Sequence, residues 1–304
     1  MKRYERFLFT LMHEKASACV AWLESLDITP TESKVDSYFT GGGGRGDRIC
    51  VVDALLPIGD DRPDRLSDAL ANRGLRPGTY TRREEINYSK ADRLAAVGCA
   101  VLASPNSKVQ TGVVYGTQYD WSKACMNCGI GRRQAGPLIA KRSQLPKGKM
   151  FVLSESGDML INQRLRDELV AKVDGTAACL GPVVERDTLE PMDYWQILTR
   201  VTLPPHHLST IGMHCEACPK CGHPVCGHDG TVPYQPAFNL LGTAQGQLAP
   251  FMKTFERWGF YEINSNDLRS AVVPLVGLVV RRDVLRILLD LKVRGIELIP
   301  VRSI

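Results

Sequence analysis

Two short stretches, Cys125-Met-Asn-Cys128-Gly129 and Cys218-Pro-Lys-Cys221-Gly222, repeat one pattern at widely separated points of the chain. The two-residue gap lets both thiolates of a tight turn face a single ion. The glycine after the second cysteine supplies permissive backbone where the turn closes, and amides there can donate to sulfur. One such knuckle is weak evidence. A matched pair offers four thiolates, the donor set of a closed, tetrahedral structural zinc site. The pattern therefore predicts one shared ion held by Cys125, Cys128, Cys218 and Cys221, pinning two distant parts of the chain together.

The second knuckle sits in a denser run, CEACPKCGHPVCGH, preceded by His214. Two other arrangements stand beside the shared site. Cys215, Cys218, Cys221 and Cys226 could hold an ion without help. Alternatively, a second zinc could take Cys215, Cys226, His223 and His228, so that one ion is expected and two are allowed. Iron–sulfur spacing is approached, but the last gap differs and no proline follows the last cysteine.

A catalytic zinc usually keeps three protein ligands and a water, and a four-cysteine site has no room for that water. The deaminase pair H-x-E and P-C-x-x-C is absent. So are H-E-x-x-H and G-x-S-x-G. His206 and His207 follow Leu-Pro-Pro and have no partner at metal spacing, which marks a loop. Asp193, Glu256 and Asp283 are scattered acids with no visible pairing. The motifs therefore favour a protein that is not an enzyme.

The chain has 304 residues, a length that suggests two domains and can bury a core without covalent staples. Its net charge of +5 permits contact with nucleic acid or acidic proteins without demanding either. The apolar run from Phe7 to Met12 is too short for a signal-peptide core, and residues 271–280 fall short of a membrane span. These features predict a cytoplasmic protein with no membrane contact, in which the ten cysteines stay reduced and clustered pairs bind metal. Cys19, Cys50, Cys99 and Cys179 read as small buried hydrophobes.

The fold class reads as α+β. Residues 1–87 alternate legibly, with strands at 6–12, 34–39, 48–56 and 78–86 and helices at 15–26 and 61–74. Asp61 is expected to cap the second helix, with Pro63 in its first turn and Gly74 at its end. The order β-α-β-β-α-β is that of a ferredoxin-like domain. The glycine run at 40–48 leads into a strand and lacks Lys-Ser/Thr, so it reads as a hairpin connection rather than a phosphate loop. Residues 88–120 read as a connecting segment, with a strand at TGVVYG. Residues 121–304 read as a zinc-ribbon domain containing two similar strand-helix-strand units. Residues 160–183 place Leu165, Leu169 and Val173 on one helix face; residues 279–301 do the same with Leu285, Leu289 and Val293. Each ends in Pro-Val and is preceded by a knuckle.

ACMNCG, YWQILTRVTLPP, CPKCG, TFERWG and the ending VRRDVLRILLDLKVRGIELIPVR resemble the double-CXXCG motif family, which is related to immunity proteins of bacterial polymorphic toxins. The resemblance covers about residues 120–304. It implies that Cys125, Cys128, Cys218 and Cys221 carry zinc and that the chain acts by binding a protein partner, a toxin or defence-system component whose active site it occludes. The N-terminal domain and the extra ligands Cys215, His223, Cys226 and His228 depart from the family layout. Exposed aromatic or arginine anchors for such a partner would be Trp195, Trp258, Tyr261 and Arg132. Two alternatives remain at this point. One is nucleic-acid binding by a zinc ribbon, which needs a clustered basic face. The other is a zinc enzyme using the second, open Cys/His site.

Overall fold

The computed structural model describes residues 1–12, 14–39, 48–75, 80–228, 232–240, 248–258 and 275–304. The glycine-rich connection at 40–47 and Tyr261 lie outside them. The chain is mixed α+β and divides into two compact units, Met1–Ser89 and a larger one built from Lys90–His228 and Tyr234–Ile304.

The first unit runs β1 (Lys2–Met12), α1 (Ala16–Glu24), β2 (Ser33–Phe39), β3 (Arg48–Pro57), α2 (Arg62–Asn72) and β4 (Thr81–Asn87). Its sheet has the order β2-β3-β1-β4, with every neighbour antiparallel. The period of two in β1 and β3 explains the pairing: Phe7, Phe9 and Leu11 face the same core as Cys50, Val52, Ala54 and Leu56. Leu23 of α1 and Leu66 and Leu70 of α2 close that core. On the sheet's other face Arg6 holds Asp53 and Glu85 at 2.5 and 2.9 Å. Asp61 makes no side-chain cap to α2; the Asp60 carboxylate instead accepts from the Arg62 amide at 3.0 Å. A carboxylate at a helix start is favoured by the exposed amides there, whichever residue supplies it.

The second unit continues with α3 (Lys90–Ala95), β5 (Gly98–Ala103), β6 (Tyr119–Asp120), β7 (Arg133–Gln134), β8 (Leu138–Ala140), β9 (Phe151–Leu153), β10 (Met159–Asn162), α4 (Gln163–Lys172), β11 (Leu180–Glu185) and β12 (Pro191–Ile197). It ends with β13 (Val201–Thr202), β14 (Met213–Ala217), β15 (Pro224–His228), β16 (Ala237–Phe238), β17 (Phe251–Trp258), β18 (Leu275–Arg281), α5 (Arg282–Asp290), β19 (Ile296–Pro300) and β20 (Arg302–Ser303). One sheet has the order β8-β11-β12-β10-β9. A larger one runs β14-β15-β17-β18-β5-β19, with β13 also on β17.

Residues 88–120 are not a mere connection, because β5 lies inside the larger sheet, between β18 and β19. TGVVYG is not a strand but a single 3-10 turn, Gly112–Tyr115, bracketed by Gly112 and Gly116 at positive φ. Only glycine takes that backbone at both ends without strain.

The two strand-helix-strand units are present and share a construction. β10 and β11 are both antiparallel to β12, which lies between them. β18 and β19 are likewise antiparallel to β5, which lies between them. In each case a helix links two parallel strands and a third strand fills the gap. Asn162 caps α4, accepting from the Leu165 amide at 3.0 Å. Leu165 and Leu169 of α4 and Val284, Leu285 and Leu288 of α5 enter one core with Phe151, Ile161, Leu278 and Val280. The expected α5 face of Leu285, Leu289 and Val293 is displaced: Leu289 and Val293 are only partly buried. The helix ends at Asp290, so Val293 falls in the following turn.

Candidate metal centre

Cys125 and Cys128 lie between β6 and β7, and Cys218 and Cys221 lie in the turn of the β14–β15 hairpin. The two knuckles are built alike. In the first, the Gly129 amide donates to the Cys125 carbonyl at 2.7 Å and the Cys125 amide to Ile130 at 2.8 Å. In the second, the Gly222 amide donates to Cys218 at 2.8 Å and the Cys218 amide to His223 at 2.9 Å. Gly129 and Gly222 have φ of 68° and 71°. The glycine of C-x-x-C-G is thus where the turn needs left-handed backbone.

The fold brings the four sulfurs within 4.8 Å of one another. Cys125 and Cys218 are separated by 3.9 Å at sulfur, and Cys128 and Cys221 by 3.5 Å. A tetrahedral ion with Zn–S bonds of about 2.3 Å sets its sulfurs about 3.8 Å apart. The donor set and its spacing therefore fit zinc. Val225 and Ile130 pack around Cys128 and Cys218 and shield one side, while Cys221 is exposed.

The surroundings favour thiolate at part of the cluster. The Asn127 side-chain amide donates to the Cys218 sulfur at 3.3 Å. Burial works to raise Cys218, but amides of Lys220 and Cys221 and the Asn127 donor prevail and bring it down to about 6. Burial also opposes ionisation of Cys125, which the Asn127 and Cys128 amides nevertheless lower. Cys128 and Cys221 are shifted upwards, by burial first and then by their sulfur neighbours. Four sulfurs this close cannot all ionise alone; a divalent cation removes that repulsion and displaces the remaining protons.

The second ligand set is not assembled. Cys215 and Cys226 face each other across β14–β15 and form a disulfide, with Cα atoms 4.0 Å apart. This corrects the expectation that all ten cysteines stay reduced, and neither sulfur is available to a metal. The reason is register: antiparallel neighbours directly opposite approach closely enough for a bridge. His223 is taken as well, its Nε2 bonding the Phe255 carbonyl at 2.8 Å. The His228 side chain lies outside the described residues. Among the described residues the four knuckle cysteines form the one group of three or more ligands close enough for a metal. Cys19, Cys50, Cys99 and Cys179 are buried.

Of the four candidate anchors, Arg132 lies over the Tyr119 and Trp121 rings. Trp195 receives Arg166 on its face, and Trp258 sits edge-on to Tyr234. That last contact belongs to a cluster the sequence did not disclose. His206 and Glu256, whose side chains are 1% and 5% exposed, are hydrogen-bonded at 2.5 Å. Tyr234 meets the other ring nitrogen at 2.7 Å, and the His206 amide donates to Glu256 at 2.7 Å. Phe238 and Trp258 pack on the imidazole. The sequence FMKTFERW carries no apolar–polar alternation to mark this cluster; only the burial pattern turns Thr254 and Glu256 inward.

Comparison with protein families, characterised proteins and solved structures finds no match. Among the described residues no helix is long and apolar enough to cross a membrane.

Proposed function

We propose that this chain is a non-enzymatic binding module whose larger unit is stapled by one structural zinc, and that it acts by presenting a rigid surface to a protein partner. We read the first unit as ferredoxin-like and the knuckle region as a zinc ribbon. The observation that carries the reading is the gathering of four sulfurs, from two alike knuckles separated by 93 residues, within 4.8 Å. Four thiolates fill a tetrahedral ion's coordination sphere, so such a zinc serves structure. The resemblance of the knuckles and the C-terminal segment to double-CXXCG proteins supports an immunity role, with occlusion of a toxin as the mechanism.

Elemental analysis of the purified chain tests the metal reading. One zinc per chain is expected, lost on Cys125→Ser. Zinc retained by that variant at full stoichiometry would sink the shared site. Co-purification from the native host, with the partner identified, tests the binding role. Recovery of the chain alone under crosslinking would count against it.

A further inference from the structure

Beside the metal centre, β17 has an edge that two strands share incompletely. β13 runs parallel to it at Met252–Lys253, and β15 runs parallel to it at Arg257–Trp258. Between those pairings, among the described residues, no strand covers Thr254–Glu256. The pairing with β18 also shifts register between Lys253 and Arg257. A cavity of about 260 Å³ opens at this gap. Ile130 of the first knuckle, His223 of the second, Thr202 of β13, and Lys253, Thr254 and Arg257 of β17 line it.

The cavity is cationic without a balancing carboxylate. Strand alternation turns Lys253, Phe255 and Arg257 to one face and Glu256 to the other, where His206 holds it. Among the described residues neither Lys253 nor Arg257 has a hydrogen-bonded or ion-paired acid. Burial lowers Lys253, and Arg257 and Arg133 lower it further. Burial likewise lowers Arg257, with Arg132 adding to it, and the one opposing influence is the Cys128 sulfur. Asp158, which acts on Arg132, is engaged by Thr111 and Gln196.

Arg257 faces the metal centre, where the Cys128 sulfur acts on it, and a zinc held there by four thiolates would carry a formal charge of two minus. Arg132 and Arg133 stand outside the lining, and Arg133 acts on the Asp120 carboxylate, so the cavity's own cations are Lys253 and Arg257. Lys253 is acted on by other cations and not by the sulfurs. A half-buried cation among cations is costly unless something pairs with it. An arginine fork, an ammonium and a threonine hydroxyl around a small cavity match the tetrahedral oxygens of a dianion.

We propose that this cavity binds the phosphate group of a small ligand, either free phosphate or a phosphomonoester, with Lys253 and Arg257 as its charged contacts and Thr202 as a hydroxyl donor. This goes beyond the zinc-stapled reading and does not need the protein partner to exist.

The test uses the zinc-loaded full chain, labelled with nitrogen-15 and titrated with inorganic phosphate at ionic strength held constant with chloride. Saturable amide shifts confined to residues around 202, 223 and 253–257 are expected. AMP should shift the same residues and compete with phosphate. Lys253→Gln should weaken phosphate binding roughly tenfold or more, the loss expected for one charge-assisted hydrogen bond. Its zinc content should be unchanged, which separates failure of the cavity from failure of the metal site. Phosphate acting no differently from chloride, or Lys253→Gln binding as the wild type does, would overturn the proposal. So would shifts produced by an oligonucleotide without terminal phosphates but not by phosphate or AMP, since that result would mark a nucleic-acid surface.

Discussion

Glu256 shows how far a single side chain can depart from what its neighbours in sequence suggest. Burial opposes its charge, yet the bond and field of His206 prevail and hold its carboxyl below the ordinary 4.5. An acid whose folded pKa is depressed stabilises the fold above its unfolded pKa, and that contribution is lost as pH falls through the folded value. Stability measured by urea unfolding should therefore decline with acidification below about pH 4.5, the unfolded range for glutamate. Glu256→Gln should cost about 3 kcal/mol near neutrality, as expected when one partner of a buried pair is removed, and should flatten that acid limb. An unchanged acid limb would mean that another group governs it. The pair was illegible in the sequence because its partners are 50 residues apart and meet only through tertiary packing. The four knuckle cysteines were legible because each knuckle is local: spacing, glycine and turn geometry are set within five residues.

The elements of the first unit were legible in order and type from their alternation and leucine spacing, although β1 starts four residues before position 6 and β4 starts three after position 78. Failure came where a short apolar run lacked a period. Val113 and Val114 between two glycines carry no alternation to distinguish a strand from a turn. The β14–β15 hairpin was opaque for another reason. Its cysteines looked like metal ligands by composition, and only the register of the two strands sets Cys215 opposite Cys226. The bridge spans 11 residues and encloses the second knuckle. Closing a loop of this size restricts the unfolded chain by about 3 kcal/mol. Replacing both cysteines with serine should lower zinc affinity, read by competition with a chelator, because the knuckle must then be ordered by the metal alone. Stoichiometry at saturating zinc should remain one. Loss of stoichiometry would place Cys215 or Cys226 among the ligands.

At the scale of the molecule, one construction recurs four times among the described residues: two parallel strands joined by a helix, with an antiparallel strand laid between them. β1 and β2 around β3, and β3 and β4 around β1, make the first two instances, and the two units of the larger body make the others. The sequence hinted at the latter pair but not at the inserted strands, since β5 and β12 are contributed from outside each strand-helix-strand run. The metal centre acts across this larger body. One knuckle leads through β7 towards β8, at the edge of the five-stranded sheet, and the other ends the larger sheet at β14–β15. Cys125→Ser should therefore accelerate amide exchange in both sheets of the second unit while leaving Met1–Ser89 protected. Faster exchange confined to residues 215–228 would show that the staple is only local.

The two faces of β17 carry incompatible chemistries, an inward acid–imidazole pair and an outward row of cations. A strand's faces interchange when its register slips by a single position. Deleting or inserting one residue between Lys253 and Arg257 would drive a guanidinium into the core and turn Glu256 to the cation-lined side. Point substitutions on the outer face disturb no packing of that kind. Natural variation in this strand should thus take the form of exchanged side chains at constant length, with changes of length accumulating elsewhere.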